Sequence, residues 1–224
     1  MAMVVKFGFP AFLNVLYEND KPQRRAIRNR LRPSSDGGYD FHLSLRTKVY
    51  RHIMDGTPIV DLINSASTIS QPAERKSVVA GLEQLGPWWA SMQYDVAGFS
   101  PVVFESPRQL FSVRFDPVFC FRDGGRTTAM HVWKSARLEL VPARTYEALK
   151  LIAEAYQDQG EQPADIGVLS LQDPAKAYFL SDAAAVSATA TAANLVERIE
   201  TIIEEIIDGE TGLPPTQPED RPPH

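Results

Sequence analysis

Residues 111–134 read FSVRFDPVFCFRDGGRTTAMHVWK, and this stretch decides the fold that we expect. Two runs rich in aromatic and β-branched residues flank Asp123-Gly124-Gly125. This pattern predicts a β-hairpin, because glycine accepts the positive φ angle of a tight turn. The first run carries one carboxylate, Asp116, and the second ends in one amine, Lys134. An acid and a lysine on neighbouring strands could hold a metal ion and an activated water, so we place the candidate chemistry at this hairpin.

The composition of the chain is typical of a soluble globular protein. Its 224 residues are 44% hydrophobic and 23% charged, and a chain of this length can bury a core. No apolar run reaches the roughly 18 residues that cross a bilayer, and the first residues lack the layout of a signal peptide. We therefore expect a cytoplasmic protein without a membrane partner. The single cysteine, Cys120, excludes an internal disulfide and a cysteine zinc cage, and its apolar neighbours in sequence predict a buried, unreactive thiol.

Positive charge is concentrated in residues 21–51, although the formal net charge of the chain is −5. This segment holds nine basic residues and two acidic ones, a local balance of +7. Salt screening makes charge act locally, so such a patch can bind phosphates even on an acidic protein. The same residues are also consistent with a solvated surface that pairs with acidic groups elsewhere, or with a protein-binding surface. The candidate nucleic-acid contacts are Arg24, Arg25, Arg28, Arg32, Arg46, Lys48 and Arg51.

Hydrophobic spacing and turn residues predict the order of helices and strands. Residues 3–17 predict a short strand or loop that leads into one helical turn. A later helix is expected to be capped by Ser70 and to be broken by Gly86-Pro87, and the last helix is expected to begin at Asp182. The predicted helices cover residues 22–32, 41–54, 59–63, 70–86, 144–157 and, most clearly, 192–207, and the predicted strands cover residues 102–105, 110–121, 127–135, 166–171 and 177–180.

This order divides the chain into three regions. Residues 1–71 are expected to form a basic helical extension, and residues 72–208 an α/β core. Residues 209–224 are rich in proline and poor in apolar side chains, which predicts a disordered tail. Paired tryptophans at 88 and 89 are expected to anchor the core. The isoleucine-rich helix at 192–207 is a candidate surface for a homo-oligomer.

The element order and the hairpin residues resemble the PD-(D/E)XK restriction-endonuclease-like superfamily, most closely its RecB-type nuclease branch, over about residues 72–207. Residues 113–116, Val-Arg-Phe-Asp, are similar to the strand that carries the family's first acid. Residues 132–135, Val-Trp-Lys-Ser, are similar to the acidic-x-Lys motif, but Val132 stands where the family has its second carboxylate. The resemblance implies an α/β (α+β) fold with a central mixed sheet flanked by helices and with the helical extension in front.

The resemblance also implies a metal site. In that family, carboxylates hold Mg²⁺ or Mn²⁺ beside the scissile phosphate, and a lysine polarises the attacking water. It implies Asp116, Glu147 and Glu105 as metal ligands, and Asp116, Lys134 and Glu147 as catalytic residues, with Glu147 supplying the missing acid from the following helix. His131 is an alternative ligand, but strand neighbours point to opposite faces, so we expect it to face away from Asp116.

Two functions remain open at this point. The first is a protein of nuclease fold that acts on DNA or RNA, either with cleavage or as a descendant that has lost it, and the basic segment would then bind the nucleic acid. The second is a non-catalytic interaction or oligomeric scaffold protein in which Asp116 is structural. The sequence has no Gly-rich phosphate loop, no His-Glu-x-x-His and no Gly-x-Ser-x-Gly, so nothing favours a small-molecule enzyme.

Overall fold

A computed structural model gives the fold and describes residues 4–31, 41–92, 94–135, 138–160, 162–182 and 188–211. The described residues form a mixed α/β protein with helices packed on two mixed sheets. Short 3₁₀ helices at Ala66–Thr68 and Leu180–Asp182 join longer elements. The helices are α1 (Phe9–Tyr17), α2 (Asp20–Leu31), α3 (Leu43–Met54), α4 (Ile59–Ser65), α5 (Pro72–Ala90), α6 (Pro142–Gln159) and α7 (Ala188–Thr211), and the strands are β1 (Val5–Gly8), β2 (Asp95–Ala97), β3 (Val102–Glu105), β4 (Phe111–Phe115), β5 (Phe119–Asp123), β6 (Arg126–Trp133), β7 (Asp165–Ser170) and β8 (Lys176–Phe179).

The larger sheet has five strands in the order β2-β5-β6-β7-β8. The hairpin of β5 and β6 is confirmed, and its turn residues Gly124 and Gly125 have φ angles of +53° and +84°. β6 and β7 are parallel, and α6 lies between them in sequence, as in a βαβ unit. The other neighbouring strands of this sheet are antiparallel.

The two faces of this sheet belong to different hydrophobic clusters. On one face, Met130 and Val132 of β6 pack with buried residues of α3, α4 and α5. On the other face, Ala129 and Trp133 pack with α6, α7 and the smaller sheet. The alternation follows from the two-residue period of a strand, and it places neighbouring residues of β6 in different parts of the core.

The predicted strand at 110–121 is wrong, because the chain forms two strands there that belong to different sheets. β4 lies in a three-stranded sheet of order β1-β4-β3, whereas β5 lies in the five-stranded sheet. The link between them is Asp116-Pro117-Val118. Proline has no N–H for a strand ladder, so a break at Pro117 is physically expected. Asp116 and Lys134 therefore do not lie on the two strands of one hairpin.

The N-terminal segment is part of the sheet structure and is more than the helical extension that we predicted. β1 pairs in parallel with β4, so that Gly8 lies opposite Arg114. The helix that follows, α1, has nine residues instead of one turn. It buries Phe9, Phe12 and Leu13, which explains why this apolar run folds against the rest of the chain.

Helix α5 also departs from the prediction, because it continues through Gly86-Pro87 to Ala90. The rings of Trp88 and Trp89 lie 6.2 and 6.0 Å from the ring of Phe119, so the helix end is fixed by core packing. Packing of two indoles outweighs the one backbone hydrogen bond that a proline removes. The predicted cap at Ser70 is also wrong, because the N-cap residue is Gln71 and its side chain makes no capping hydrogen bond.

The C-terminal helix α7 extends to Thr211, three residues beyond the predicted limit of 208. The part of the predicted tail at 212–224 lies outside the described residues. The isoleucines of α7, including Ile199 and Ile203, are buried in the core that α7 shares with α6. The predicted homo-oligomer stays a prediction, but this isoleucine stripe is already covered within the chain. Among the described helices, none is long and apolar enough to cross a membrane.

Candidate functional site

A cleft of about 800 Å³ lies at the link between the two sheets. It is lined by the first residues of α1, by one side of α3, by the link residues Asp116-Pro117-Val118, and by Arg30 of α2 and His131 of β6. Among the described residues, three guanidinium groups line it, those of Arg30, Arg46 and Arg114, together with the single carboxylate of Asp116. The described side chains of the cleft therefore carry an excess of positive charge.

Asp116 lies at the exposed side of this cleft. Its side chain is 62% exposed, and its Oδ2 lies 3.5 Å from a guanidinium nitrogen of Arg114. The main-chain oxygen of Asp116 lies 3.2 Å from Nδ1 of His131, and a carbonyl oxygen only accepts, so Nδ1 is the donor in this hydrogen bond. The carboxylate thus remains in contact with solvent and with a cation.

His131 faces the same cleft as Asp116, which corrects the predicted orientation. Its ring packs against Phe9 and Phe115, at 5.6 and 5.9 Å between centroids. Val132, the next residue of β6, is 4% exposed and packs in the cluster on the opposite face of the sheet. The prediction that His131 and Val132 face opposite sides of the sheet is confirmed. The prediction that Asp116 lies on the side of Val132 is wrong, because Asp116 follows a strand of the other sheet.

The three arginines of the cleft come from three separate elements. Arg30 lies in the last turn of α2, with its guanidinium carbon 5.3 Å from the centroid of the Phe7 ring and one nitrogen donating to the carbonyl of Ala26. The surroundings of Arg30 exclude part of the water, which lowers its pKa, although a guanidinium stays charged at neutral pH. Arg46 comes from α3 and Arg114 from β4. The first turn of α1 contains no acidic residue that would neutralise the positive end of the helix dipole.

Lys134 is not among the residues that line this cleft. Its Nζ donates a hydrogen bond of 2.7 Å to the carbonyl of Leu171, just beyond the end of β7. Burial lowers the pKa of Lys134, and the nearby charge of Asp173 opposes that shift. The amine of Lys134 thus forms a hydrogen bond at the end of the parallel pair β6–β7, and it does not line the cleft with Asp116.

The other two predicted metal ligands lie on separate elements. Glu147 lies on α6, where burial raises its pKa and the charge of Arg144 opposes the shift. Glu105 ends β3 and is exposed, opposite Ser112 in the β3–β4 pairing. In the described residues, no group of three or more histidine, cysteine, aspartate or glutamate side chains could hold a metal ion. The magnesium or manganese site therefore stays a prediction.

The predicted basic patch divides into groups with different environments. Arg24 is paired within the chain, at 3.0 Å from Asp20 and 2.6 Å from Glu205 of α7, and these partners raise its pKa. Lys48 donates to the hydroxyl of Ser65, and burial, followed by the charge of Arg51, lowers its pKa.

The remaining residues of the patch have other positions. Arg25, Arg28 and Arg51 are exposed, and Arg46 lines the cleft. Arg32 lies outside the described residues. Pairing with acidic groups, one of the alternatives in the sequence, therefore holds for Arg24.

Sequence reasoning missed Arg30 and Arg114 as site residues. Arg30 was counted in the basic segment, and Arg114 stands two residues before Asp116, but neither position had a motif that selected it. Tyr50 was missed as well, although it lines the cleft and is 47% exposed. The signals available in the sequence were the concentration of basic residues at 21–51, for Arg30, and the position two residues before Asp116, for Arg114.

Comparisons with known proteins leave the family open. No protein-family model matches this chain, and no curated protein matches it. Among solved structures, it is similar to a chain described as "Crystal structure of SSO0001", with 9% identity and a TM-score of 0.33, over 87% of this chain and 84% of that one. A TM-score this low carries no argument about fold or function.

Proposed function

We propose that this chain is a nucleic-acid-binding protein with a restriction-endonuclease-like core, and that it is a descendant that has lost metal-dependent cleavage. The observation that carries the proposal is that Arg30, Arg46 and Arg114 line the same cleft as Asp116. Guanidinium groups match phosphate oxygens in both charge and geometry, because each presents a planar set of donors. Contacts of this kind supply most of the affinity in non-specific nucleic-acid binding.

The loss of cleavage is proposed because the expected second acid is missing and because the expected lysine does not lie in the cleft with Asp116. A phosphodiesterase of this type needs at least two hard oxygen ligands around the metal and a lysine near the attacking water. Val132 occupies the second acidic position and is buried in the core. Lys134 donates to the carbonyl of Leu171, and the part of the cleft that the structure describes contains a single carboxylate.

The test is a salt titration of binding without metal. Fluorescence anisotropy with a labelled oligonucleotide in EDTA is expected to give affinity that falls as salt rises, with a slope of about −0.7 for each phosphate contact on a single strand. Arg46→Ala and Arg114→Ala are each expected to weaken binding and to reduce the slope by about one contact. Arg122→Ala is the matched control, since Arg122 is exposed on β5 and does not line the cleft.

Cleavage is tested with the same oligonucleotide in the presence of Mg²⁺ or Mn²⁺. We expect intact substrate. Cleavage that requires the metal and disappears in Asp116→Ala would overturn the proposed loss of activity. Absence of oligonucleotide binding at low salt would overturn the proposed function itself.

A further inference from the structure

Aromatic side chains lie in the same cleft as the guanidinium groups. Tyr50 lies on α3, lines the cleft and is 47% exposed, so the face of its ring is accessible to a ligand. Phe41 and His42 also line the cleft and pack edge to face, with ring centroids 5.1 Å apart. An exposed ring beside cations is the combination on which unpaired bases stack while their phosphates are held.

We propose that the cleft receives the end of a single-stranded nucleic acid, with the terminal phosphate monoester on Arg30, Arg46 and Arg114 and the terminal base against Tyr50. This inference rests on the proposed function and specifies its ligand. The shared chemistry is a nucleoside that carries a phosphate monoester. A free nucleotide offers the same chemistry, so the test separates the two sources.

The size of the cleft favours an end over a continuous strand. Its volume of about 800 Å³ lies within the range of about 300–1,000 Å³ that is usual for pockets that enclose a small organic ligand. A groove that follows a single strand accommodates about four or more nucleotides for each binding domain. The terminal nucleotide is the part of a strand that fits a pocket.

The charge of the cleft favours a monoester over a diester. Among the described residues of the cleft, three guanidinium groups face one carboxylate, and that carboxylate lies 3.5 Å from Arg114. An internal phosphodiester carries a single negative charge, whereas a phosphate monoester carries about −1.5 to −2 at pH 7, with a second pKa of about 6. The excess of positive charge among these described side chains therefore matches a terminal phosphate better than an internal one.

A paired end is a poorer ligand in this arrangement. In a duplex, the terminal base is hydrogen-bonded to its partner, so a single base could enter the cleft only after that pair had opened. Unpairing costs free energy that a single strand does not need to spend. We therefore expect a preference for single strands that depends on Tyr50.

The test compares labelled oligonucleotides of one sequence with a 5′-phosphate, a 3′-phosphate or hydroxyl groups only, each as a single strand and as a blunt duplex, in EDTA. We expect one phosphorylated single strand to bind at least about fivefold more tightly than the hydroxyl form, as an added charge at contact distance predicts.

Variants assign the preference to the cleft. Arg114→Ala is expected to remove the preference for a phosphorylated end, and Tyr50→Ala to remove the preference for a single strand. Arg122→Ala is expected to retain both, because Arg122 is exposed on β5 and does not line the cleft. Thermal unfolding of each variant verifies that the fold is intact.

The outcomes separate this inference from the proposed function. Equal affinity for phosphorylated and hydroxyl ends would overturn the inference and leave the proposed function in place. A nucleoside monophosphate that competes as strongly as the oligonucleotide would overturn the assignment to a strand end. Absence of binding to every oligonucleotide would overturn both.

Discussion

Replacing Asp116 by Asn separates two roles that this residue could have. The substitution keeps the shape of the side chain and removes its charge. If Asp116 is an anionic group in a cleft that binds phosphate, and the one carboxylate among its described residues, Asp116→Asn should strengthen binding. If Asp116 is a metal ligand in a catalytic site, the same substitution should reduce metal-dependent binding and cleavage.

The expected magnitude follows from the geometry. Oδ2 of Asp116 lies 3.5 Å from Arg114, and both side chains are more than half exposed, at 62% and 58%. Two unit charges about 4 Å apart interact by about 1 kcal/mol in water, and measured exposed ion pairs contribute about 0.2–1 kcal/mol. Removing the carboxylate releases Arg114 for the phosphate and removes a repulsion, so we expect binding to tighten by about two- to fivefold.

The assay is fluorescence anisotropy with a labelled single-stranded oligonucleotide at low salt in EDTA, where a metal ligand has no role. The gain should shrink as salt rises, because screening weakens interactions between exposed charges. Glu105→Gln is the matched control, since Glu105 is an exposed carboxylate that does not line the cleft, and we expect no change in affinity. Unchanged or weaker binding by Asp116→Asn would refute the reasoning.

Three further predictions concern the core. Gly167→Ala should destabilise the protein by about 1–3 kcal/mol in urea unfolding, as overpacking does, because its Cβ would lie 2.9 Å from the carbonyl oxygen of Tyr178; Gly98→Ala, in open space, should be neutral. Val132→Asp, which places a carboxylate where the nuclease family that the chain resembles has its second acid, should lower the melting temperature without creating metal-dependent cleavage, since the carboxylate would enter an apolar cluster; a gain of cleavage would contradict this. Burial raises the pKa of Cys120 to about 11, so its alkylation at pH 8 should be slow in the native protein and fast in urea, and equally fast alkylation in both would contradict it.

Local features of the sequence predicted much of the fold. The turn at Gly124-Gly125 was predictable because a two-residue hairpin turn with positive φ angles has a strong chemical preference. The opposite orientations of His131 and Val132 were predictable from the period of a strand. The path of α5 through Pro87 was not predictable, because the rings of Trp88 and Trp89 pack on a strand that lies about 30 residues later in the sequence.

The candidate site was less predictable than the fold. The resemblance within residues 111–134 selected Asp116 and Lys134 as candidate site residues. It also identified Val132 as the position where the nuclease family has its second acid. It could not predict that Lys134 donates to Leu171, since that contact depends on how β7 lies beside β6. The resemblance to a nuclease family stays a prediction, and the proposed binding role depends on the cleft.

The sequence by itself determined a hairpin and an alternating strand within residues 111–134. It also contained the reason for a break at Pro117, which our predicted strand at 110–121 passed over. These features depend on φ preferences, on the two-residue period and on a missing N–H, and all of them act between near neighbours. Only the tertiary structure decided that β4 and β5 belong to different sheets, and therefore that Asp116 faces His131. It also decided that Arg30 and Arg46 line one cleft with Asp116, because strand pairing and helix packing join residues far apart in the chain, and no local propensity specifies those partners.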